Sequence, residues 1–397
     1  MPASGRTFFI AGAGIAGLTL ALALAKFGAH VVMLERSPRL SEFGAGLQLS
    51  PNARRVLDRL GLNEAIAARS FEPAGIDVYP FGRLDPLVTM ELGPQMEERF
   101  GAAYSVMHRA DLAETLYEAS RRFANIDVMF GVSNWSAQAT EAGVTVTIEE
   151  AGGQIRTLRG AALVGADGVH SRTRTQLLDG PPANFSGRIA WRTLLPLDAL
   201  AGQIARDRVS VLFGPRLHLV CYPLPHRGVI NLALFTQHRD DRDAPHPTLS
   251  FKPSRSPRLQ AIVDRAGHSW TPWPLYTVST DSWHRGPIGL LGDAAHAMVP
   301  FQAQGAAMGI EDAATLAPLL MESSDPGRAF ARYEAVRQPR VKRVADLSRS
   351  NGRIFHLPWP LSSARNLGIR LQGRRGHLRR LAWLYDYDTD APQPRRR

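Results

Sequence analysis

The chain has 397 residues, 44% hydrophobic and 21% charged, a length that predicts two joined domains or one core with a large insertion and a composition that excludes a fibrous or disordered chain. Its formal net charge of +11 comes almost wholly from arginine, Lys26, Lys252 and Lys342 being the only lysines, so the excess reads as genome composition and solvated surface, not as a nucleic-acid or membrane-binding face. Cys221 is the single cysteine, which excludes an intrachain disulfide or a cysteine-rich zinc site and fits a reducing cytoplasm.

Residues 7 to 11 read as a strand, 15 to 27 as a helix rich in Ala and Leu, and 30 to 35 as a second strand, a βαβ opening whose strands should be parallel neighbours. The apolar run from Phe8 to Ala25 could pass for a signal-peptide core. Glycines punctuate it, however, and Val31-Val32-Met33-Leu34 resumes as a buried strand. No later apolar stretch is long enough to cross a bilayer.

The first turn carries Gly12-Ala13-Gly14-Ile15-Ala16-Gly17, a GxGxxG pattern, and Glu35 ends the next strand at the offset that a dinucleotide fingerprint requires. Gly12 permits the tight turn, Gly14 lets the backbone approach a pyrophosphate, and Gly17 lets helix and sheet pack closely. The helix N-terminus offers amides and positive potential, and Glu35 would accept from ribose hydroxyls. This motif alone leaves FAD and NAD(P) both open.

Residues 51 to 60 and 109 to 124 carry helical apolar spacing, the second with Asp111 near its start. Alternation between 143 and 165 predicts antiparallel strands followed by a further turn. A β-rich region from 185 to 280, with segments at 209 to 213, 217 to 222 and 229 to 235, is expected to roof a substrate pocket. From 305 onward the chain turns helical, with a long helix at about 327 to 348. It ends in a Pro- and Arg-rich tail.

Two further motifs follow apolar strands: Gly165-Ala166-Asp167-Gly168-Val169-His170-Ser171-Arg172 and Gly292-Asp293-Ala294-Ala295-His296. In order and spacing, these and the opening motif resemble the three signatures of the single-component (group A) FAD-dependent aromatic hydroxylases, over about residues 7 to 348. That resemblance implies an α/β fold: a Rossmann-type FAD-binding domain, para-hydroxybenzoate hydroxylase-like, with an inserted β-sheet substrate domain and C-terminal helices. The expected division is 1–75, 101–180 and 281–350 for FAD, 76–100 and 181–280 for substrate, and 351–397 for a C-terminal helical segment and basic tail.

The same resemblance assigns cofactor contacts to Gly12, Gly14, Ala16, Gly17, Glu35 and Arg36, to Asp293 at the ribityl chain and to Asp167 in a motif tied to FAD and reduced nicotinamide. Arg109 falls near the ribityl and pyrophosphate groups. By themselves Asp293 is equally a helix cap and Arg109 a surface residue. NADH or NADPH would visit transiently as co-substrate; no feature of the sequence separates the two, and NADH is the one expected.

Gly44-Ala45-Gly46-Leu47-Gln48-Leu49-Ser50-Pro51-Asn52 and Pro300-Phe301-Gln302-Ala303-Gln304-Gly305-Ala306 resemble the flavin-lining segments of the branch containing salicylate hydroxylase, 3-hydroxybenzoate 6-hydroxylase and 6-hydroxynicotinate 3-monooxygenase. Gln48, Gly305 and Ala306 would then touch the flavin, the last two opening a helix whose free amides face it. Gln48 and Phe301 stand where the nicotinate enzymes carry histidines, which favours a benzoate-type ring.

His218-Leu219-Val220-Cys221-Tyr222 resembles a His and Tyr pair above the flavin. Positions four apart share a strand face. His218 is expected to take the phenol proton, the phenolate then attacking a flavin C4a-hydroperoxide, while Tyr222 and Gln304 orient the substrate. Phe301 would contact the ring, and Arg192 either pairs a substrate carboxylate or braces the domain interface. The expected partners are therefore a small aromatic acid, O2 and NAD(P)H, in a monomer or homodimer. A scaffold without oxygenase activity, or an epoxidase or N-hydroxylating relative, is the competing reading. A flavin halogenase is disfavoured because Trp270 and Trp273 are spaced one residue too widely.

Overall fold

Within the strand Thr7–Ala11, Phe8 to Ala11 is an unbroken apolar run buried on both faces, and the strand sits in the middle of a parallel sheet, where covered strands read this way. A computed structural model describes residues 5–40, 45–149, 153–238, 249 and 256–390, without the side chains of Arg374 and Arg375; Gly44, Lys252 and the terminal Arg395-Arg396-Arg397 lie outside it. The sheet's order is His284–Arg285, Ile288–Leu290, Ala162–Gly165, Thr7–Ala11, His30–Glu35, Ile126–Phe130, parallel except for the first pair.

One face of this sheet buries the helices Ile15–Lys26 and Gly305–Glu322. The other is covered by a three-stranded antiparallel sheet, Trp135–Thr140, Gly143–Glu149 and Ile155–Gly160, whose Val144, Val146 and Ile148 meet Phe9, Val32 and Leu163. The Ile15 helix has a weak amphipathic pattern because ten of its twelve residues are buried. It crosses the Gly305 helix at small residues: a Cβ on Gly309 would lie 2.9 Å from the methyl of Ala16.

The Arg109–Ser120 helix stops four residues short of its sequence-predicted end. Arg121 and Arg122 only close the final turns, and Asn125 instead donates to the carbonyls of Ala25 and Ala29 at 3.1 and 2.7 Å. Asp111, inside its first turn, is buried and accepts from Arg227 at 2.5 to 3.1 Å.

A seven-stranded sheet forms the second layer, ordered Thr271–Thr277, Asn184–Pro196, Val229–Gln237, Leu217–Leu224, Arg208–Gly214, Gly75–Tyr79, Val88–Glu91. Strand alternation divides its residues in two. Trp191, Leu219, Cys221, Leu232 and Leu234 pack beneath the helix Pro257–Ala266. Registered neighbours Arg192, Ala233 and Val220, and Ala190, Phe235 and His218, occupy the opposite face, where Phe235, Val220 and Ala233 meet Phe301.

Two long helices close the chain. Pro326–Phe355, capped by Asp325, runs seven residues past its expected end, with Gly352 buried inside it. A Cβ on Gly352 would lie 2.6 Å from the ring of Phe301. Leu361–Tyr385 follows, kinked at Gly373. Among the described residues no helix is long and apolar enough to cross a membrane.

Candidate active site

The glycine-rich turn is shaped by three different demands. Gly12 has φ +102 and a Cβ there would meet the Ala166 carbonyl at 2.5 Å; one on Gly17 would meet the Gly12 carbonyl at 2.2 Å. Gly14 differs, since its φ of −77 suits any residue and a Cβ would find nothing within 4 Å. Neither backbone nor packing inside the chain requires a glycine there, and the open space is what a ligand's pyrophosphate needs. Gly305, at the start of its helix, is open in the same way. Ala16 is spent on the crossing with Gly292 and Gly309.

Glu35 holds this turn: its carboxylate accepts from the amides of Ala13 and Ser37, both at 2.8 Å. Each oxygen keeps a free lone pair for a ribose hydroxyl. Arg36 is exposed beside it. Asp167 is committed locally, accepting from Ser171 Oγ at 2.5 Å and from Thr173 N and Oγ1 at 2.9 and 3.0 Å, and so it fixes the turn into residues 173–177.

Asp293 contrasts with it. Half-buried at the first residue of the short helix Asp293–His296, it makes no hydrogen bond or ion pair among the described residues. Arg109 is exposed and also without a described side-chain partner, while its amide donates to the Ala45 carbonyl at 3.0 Å. A dinucleotide site thus has its steric openings and an uncommitted acid and base in place. These residues fit FAD.

Gln48 accepts from the hydroxyl of buried Tyr104. Gln304, expected to orient the substrate, is 2% exposed, donates to Ser50 Oγ at 2.8 Å and accepts from Asn52 at 3.1 Å. Asn52 continues to Glu311 at 2.7 Å, and Glu311 pairs with Arg337 and Arg340 at 2.6 Å, while Asp312 pairs with Arg337 at 2.7 Å and His296 at 2.5 Å. The Gln304 amide therefore clamps the Ser50 turn to the opening of the Gly305 helix. Ala303 just before it has φ +55, a left-handed conformation that costs a non-glycine residue about 1 kcal/mol.

Over these elements lies the inner face of the seven-stranded sheet. Its centre is Val220 and Ala233, both only half-buried although they lie on interior strands. A floor of small, partly accessible side chains in mid-sheet marks a chamber. His218 and Tyr222 stand on the same face at either end, their Cα atoms about 13 Å apart by strand rise, whereas Leu219 and Cys221 join the opposite core.

Tyr222 is buried with its hydroxyl against Gly46, where a Cβ would come within 2.4 Å of it. Burial raises its pKa, partly offset by nearby Arg192. Arg192 is half-buried, stacks at 5.5 Å over the Trp273 ring, and has no hydrogen bond or ion pair among the described residues. Burial and then the neighbouring Arg109 lower its pKa.

His218 sits in an aromatic cage, stacked on Phe235 at 4.6 Å and edge-on to Phe301 at 5.0 Å. Its Nδ1 lies 2.7 Å from Nε2 of His356, whose Nδ1 lies 2.6 Å from a guanidinium nitrogen of Arg188. Burial, then His356 and Arg188, push the His218 pKa well down, and burial, then Arg188 and Arg365, push His356 down to about 3. Sequence reasoning missed both partners. Arg188 precedes Arg192 by four on one strand face, a legible spacing; His356, at a helix end 138 residues from His218, carried no such signal.

The chain belongs to the FAD binding domain family, whose sequence profile matches residues 6–348. FAD is accordingly its cofactor. It is 35% identical over 96% of each chain to 3-amino-4-hydroxybenzoate 2-monooxygenase PtnB3 of Streptomyces platensis. It is 31% identical to 3-hydroxybenzoate 6-hydroxylase of Klebsiella oxytoca over 96% of each chain, and 31% identical to salicylate hydroxylase of Pseudomonas putida over 98% of this chain and 94% of that one. In fold it matches Klebsiella pneumoniae HpxO complexed with FAD and uric acid, with a TM-score of 0.80 at 23% identity over 96% of both chains.

Proposed function

We propose that this flavoprotein monooxygenase hydroxylates a small aromatic acid of the hydroxybenzoate type, using NAD(P)H and O2. The carrying observation is Arg192: a partly buried cation, near a second arginine and without an anion among the described residues, on the wall of a chamber whose floor is Val220 and Ala233. An unpaired buried charge is costly. A ligand carboxylate taken in bidentate fashion offsets that cost and orients the ring.

Bound FAD, once reduced by NAD(P)H, supplies the oxygen-activating chemistry. Gly14 and the first amides of the Ile15 helix would receive its pyrophosphate, Glu35 a ribose, Asp293 and Arg109 the ribityl and phosphate region, and the opening amides at Gly305 and Ala306 the ring's polar edge. The positive end of that helix favours negative charge on the reduced ring. Tyr222, kept protonated by its raised pKa, donates or accepts as a neutral hydroxyl. Phe301 and Phe235 form an apolar wall that keeps water from the ring.

The relatives act, by their names, on amino- and hydroxybenzoates and salicylate, which agrees with a carboxylate-bearing ring. Purified holoenzyme should oxidise NADH or NADPH faster when a hydroxybenzoate is added, and mass spectrometry should find a product one oxygen heavier. The matching hydroxybenzamides, lacking the carboxylate, should fail to stimulate. If no aromatic acid both accelerates oxidation and gains oxygen, the assignment is wrong.

A further inference from the structure

The hydrogen bonds behind His218 fix which of its nitrogens carries the proton. A guanidinium only donates, so Nδ1 of His356, 2.6 Å from Arg188, must accept. Both imidazoles are buried among cations, His356 facing Arg188 and Arg365, which keeps them neutral. A neutral His356 accepting at Nδ1 carries its proton on Nε2, and that proton points at Nδ1 of His218, 2.7 Å away. His218 then accepts at Nδ1 and bears its own proton on Nε2. The opposite set of tautomers would aim the Nδ1 proton of His356 at the Arg188 guanidinium.

We propose that Arg188 and His356 hold His218 as an Nε2–H donor, so that His218 stabilises an anionic phenolate oxygen of the substrate instead of removing the phenol proton. This rests on the hydroxylase reading for the identity of the acceptor, but the tautomer itself does not. Nε2 has no hydrogen-bond partner among the described residues and lies on a side chain of the chamber face. The substrate's phenol proton is lost to solvent, and the fixed N–H holds the oxygen that remains. Arg188 and His356 are positioning residues: they act through His218.

The direct test is 15N NMR of the FAD-loaded enzyme labelled at histidine, with His218→Gln supplying the assignment. His218 should show a protonated Nε2 and an unprotonated Nδ1; the reverse pattern overturns the proposal whatever the enzyme's substrate. A second test uses binding only, by calorimetry with 3-hydroxybenzoate and with 3-methoxybenzoate, whose ether oxygen accepts but cannot donate.

His356→Glu would accept from both neighbours and turn the Nδ1 proton of His218 inward, leaving Nε2 as an acceptor. The ratio of the methoxy to the hydroxy Kd should then rise about tenfold, the loss of one hydrogen bond. His356→Gln, whose amide accepts from Arg188 and donates to His218, should leave the ratio unchanged. A ratio that does not move in His356→Glu, or that moves equally in both variants, sinks the donor role. If neither acid binds the wild type, the aromatic-acid reading fails, while the NMR result still decides the tautomer.

Discussion

Two groups of charged residues lie within the same molecule and are treated in opposite ways. Around the Gly305 helix, Glu311, Asp312, Arg337 and Arg340 are nearly all fully buried, and each carboxylate meets at least one guanidinium at 2.6 or 2.7 Å. Around the chamber, Arg109, Arg192 and Asp293 are half-buried or exposed and have no ion pair among the described residues. Charges that satisfy one another hold the scaffold, and the proposed function assigns the open ones to what the scaffold binds. Arg337, Arg192 and Asp293 allow that distinction to be broken one side at a time.

The largest effect is expected from Arg337→Met. It leaves Glu311 and Asp312 buried without their main partner, which costs about 3–5 kcal/mol, and should appear as a sharp fall in the denaturant midpoint. Burial alone would raise the Asp312 pKa, but His296 and Arg337 bring it down to about 2. Its contribution is therefore complete above the ordinary carboxylate value and is lost as pH falls through about 2. The variant should lose that acid-side step along with its stability.

Arg192→Met should do the reverse. No described partner is orphaned, so the midpoint should stay within about 0.5 kcal/mol of wild type, whereas the Kd of an aromatic acid should rise on the order of a hundredfold, as for a buried charge pair truncated on one side. Equal loss of stability and binding would mean that Arg192 braces the domain interface.

His356 gives a middle-sized effect on pH. Its folded pKa of about 3 lies below the ordinary value, so the unfolded chain binds the extra proton and stability falls as pH drops from near 6.5 towards 3. Between pH 7 and 5 that is about 2 kcal/mol. Unfolding midpoints should decline over this window in the wild type and less so in His356→Gln.

What the sequence disclosed follows the range over which its signals act. The fingerprint from Gly12 to Gly17 with Glu35 is local, and strand alternation at 217 to 222 correctly puts Leu219 and Cys221 on the covered face. The partners of Gln304, Ser50 and Asn52, were not legible because they lie about 250 residues away, and nothing near a glutamine tells which way its amide turns. His356 stayed hidden for the same reason. The helix that delivers it runs seven residues past its expected end, through Gly352, on which the Phe301 ring packs.

Asp293 offers the smallest and most selective effect. A carboxylate that only capped its own helix would show a hydrogen bond to the first turn, and the described structure has none. The helix is four residues long, so its dipole has little stability to lose. Asp293→Ala should accordingly leave the apoprotein's unfolding midpoint where it was and weaken FAD about tenfold, the worth of one hydrogen bond from a hydroxyl to a charged acceptor. Titrating apoprotein with FAD by quenching of flavin fluorescence measures the second quantity, and thermal unfolding of the same sample measures the first. A fall in the apoprotein midpoint with unchanged FAD affinity would move Asp293 from the open group of charges into the committed one.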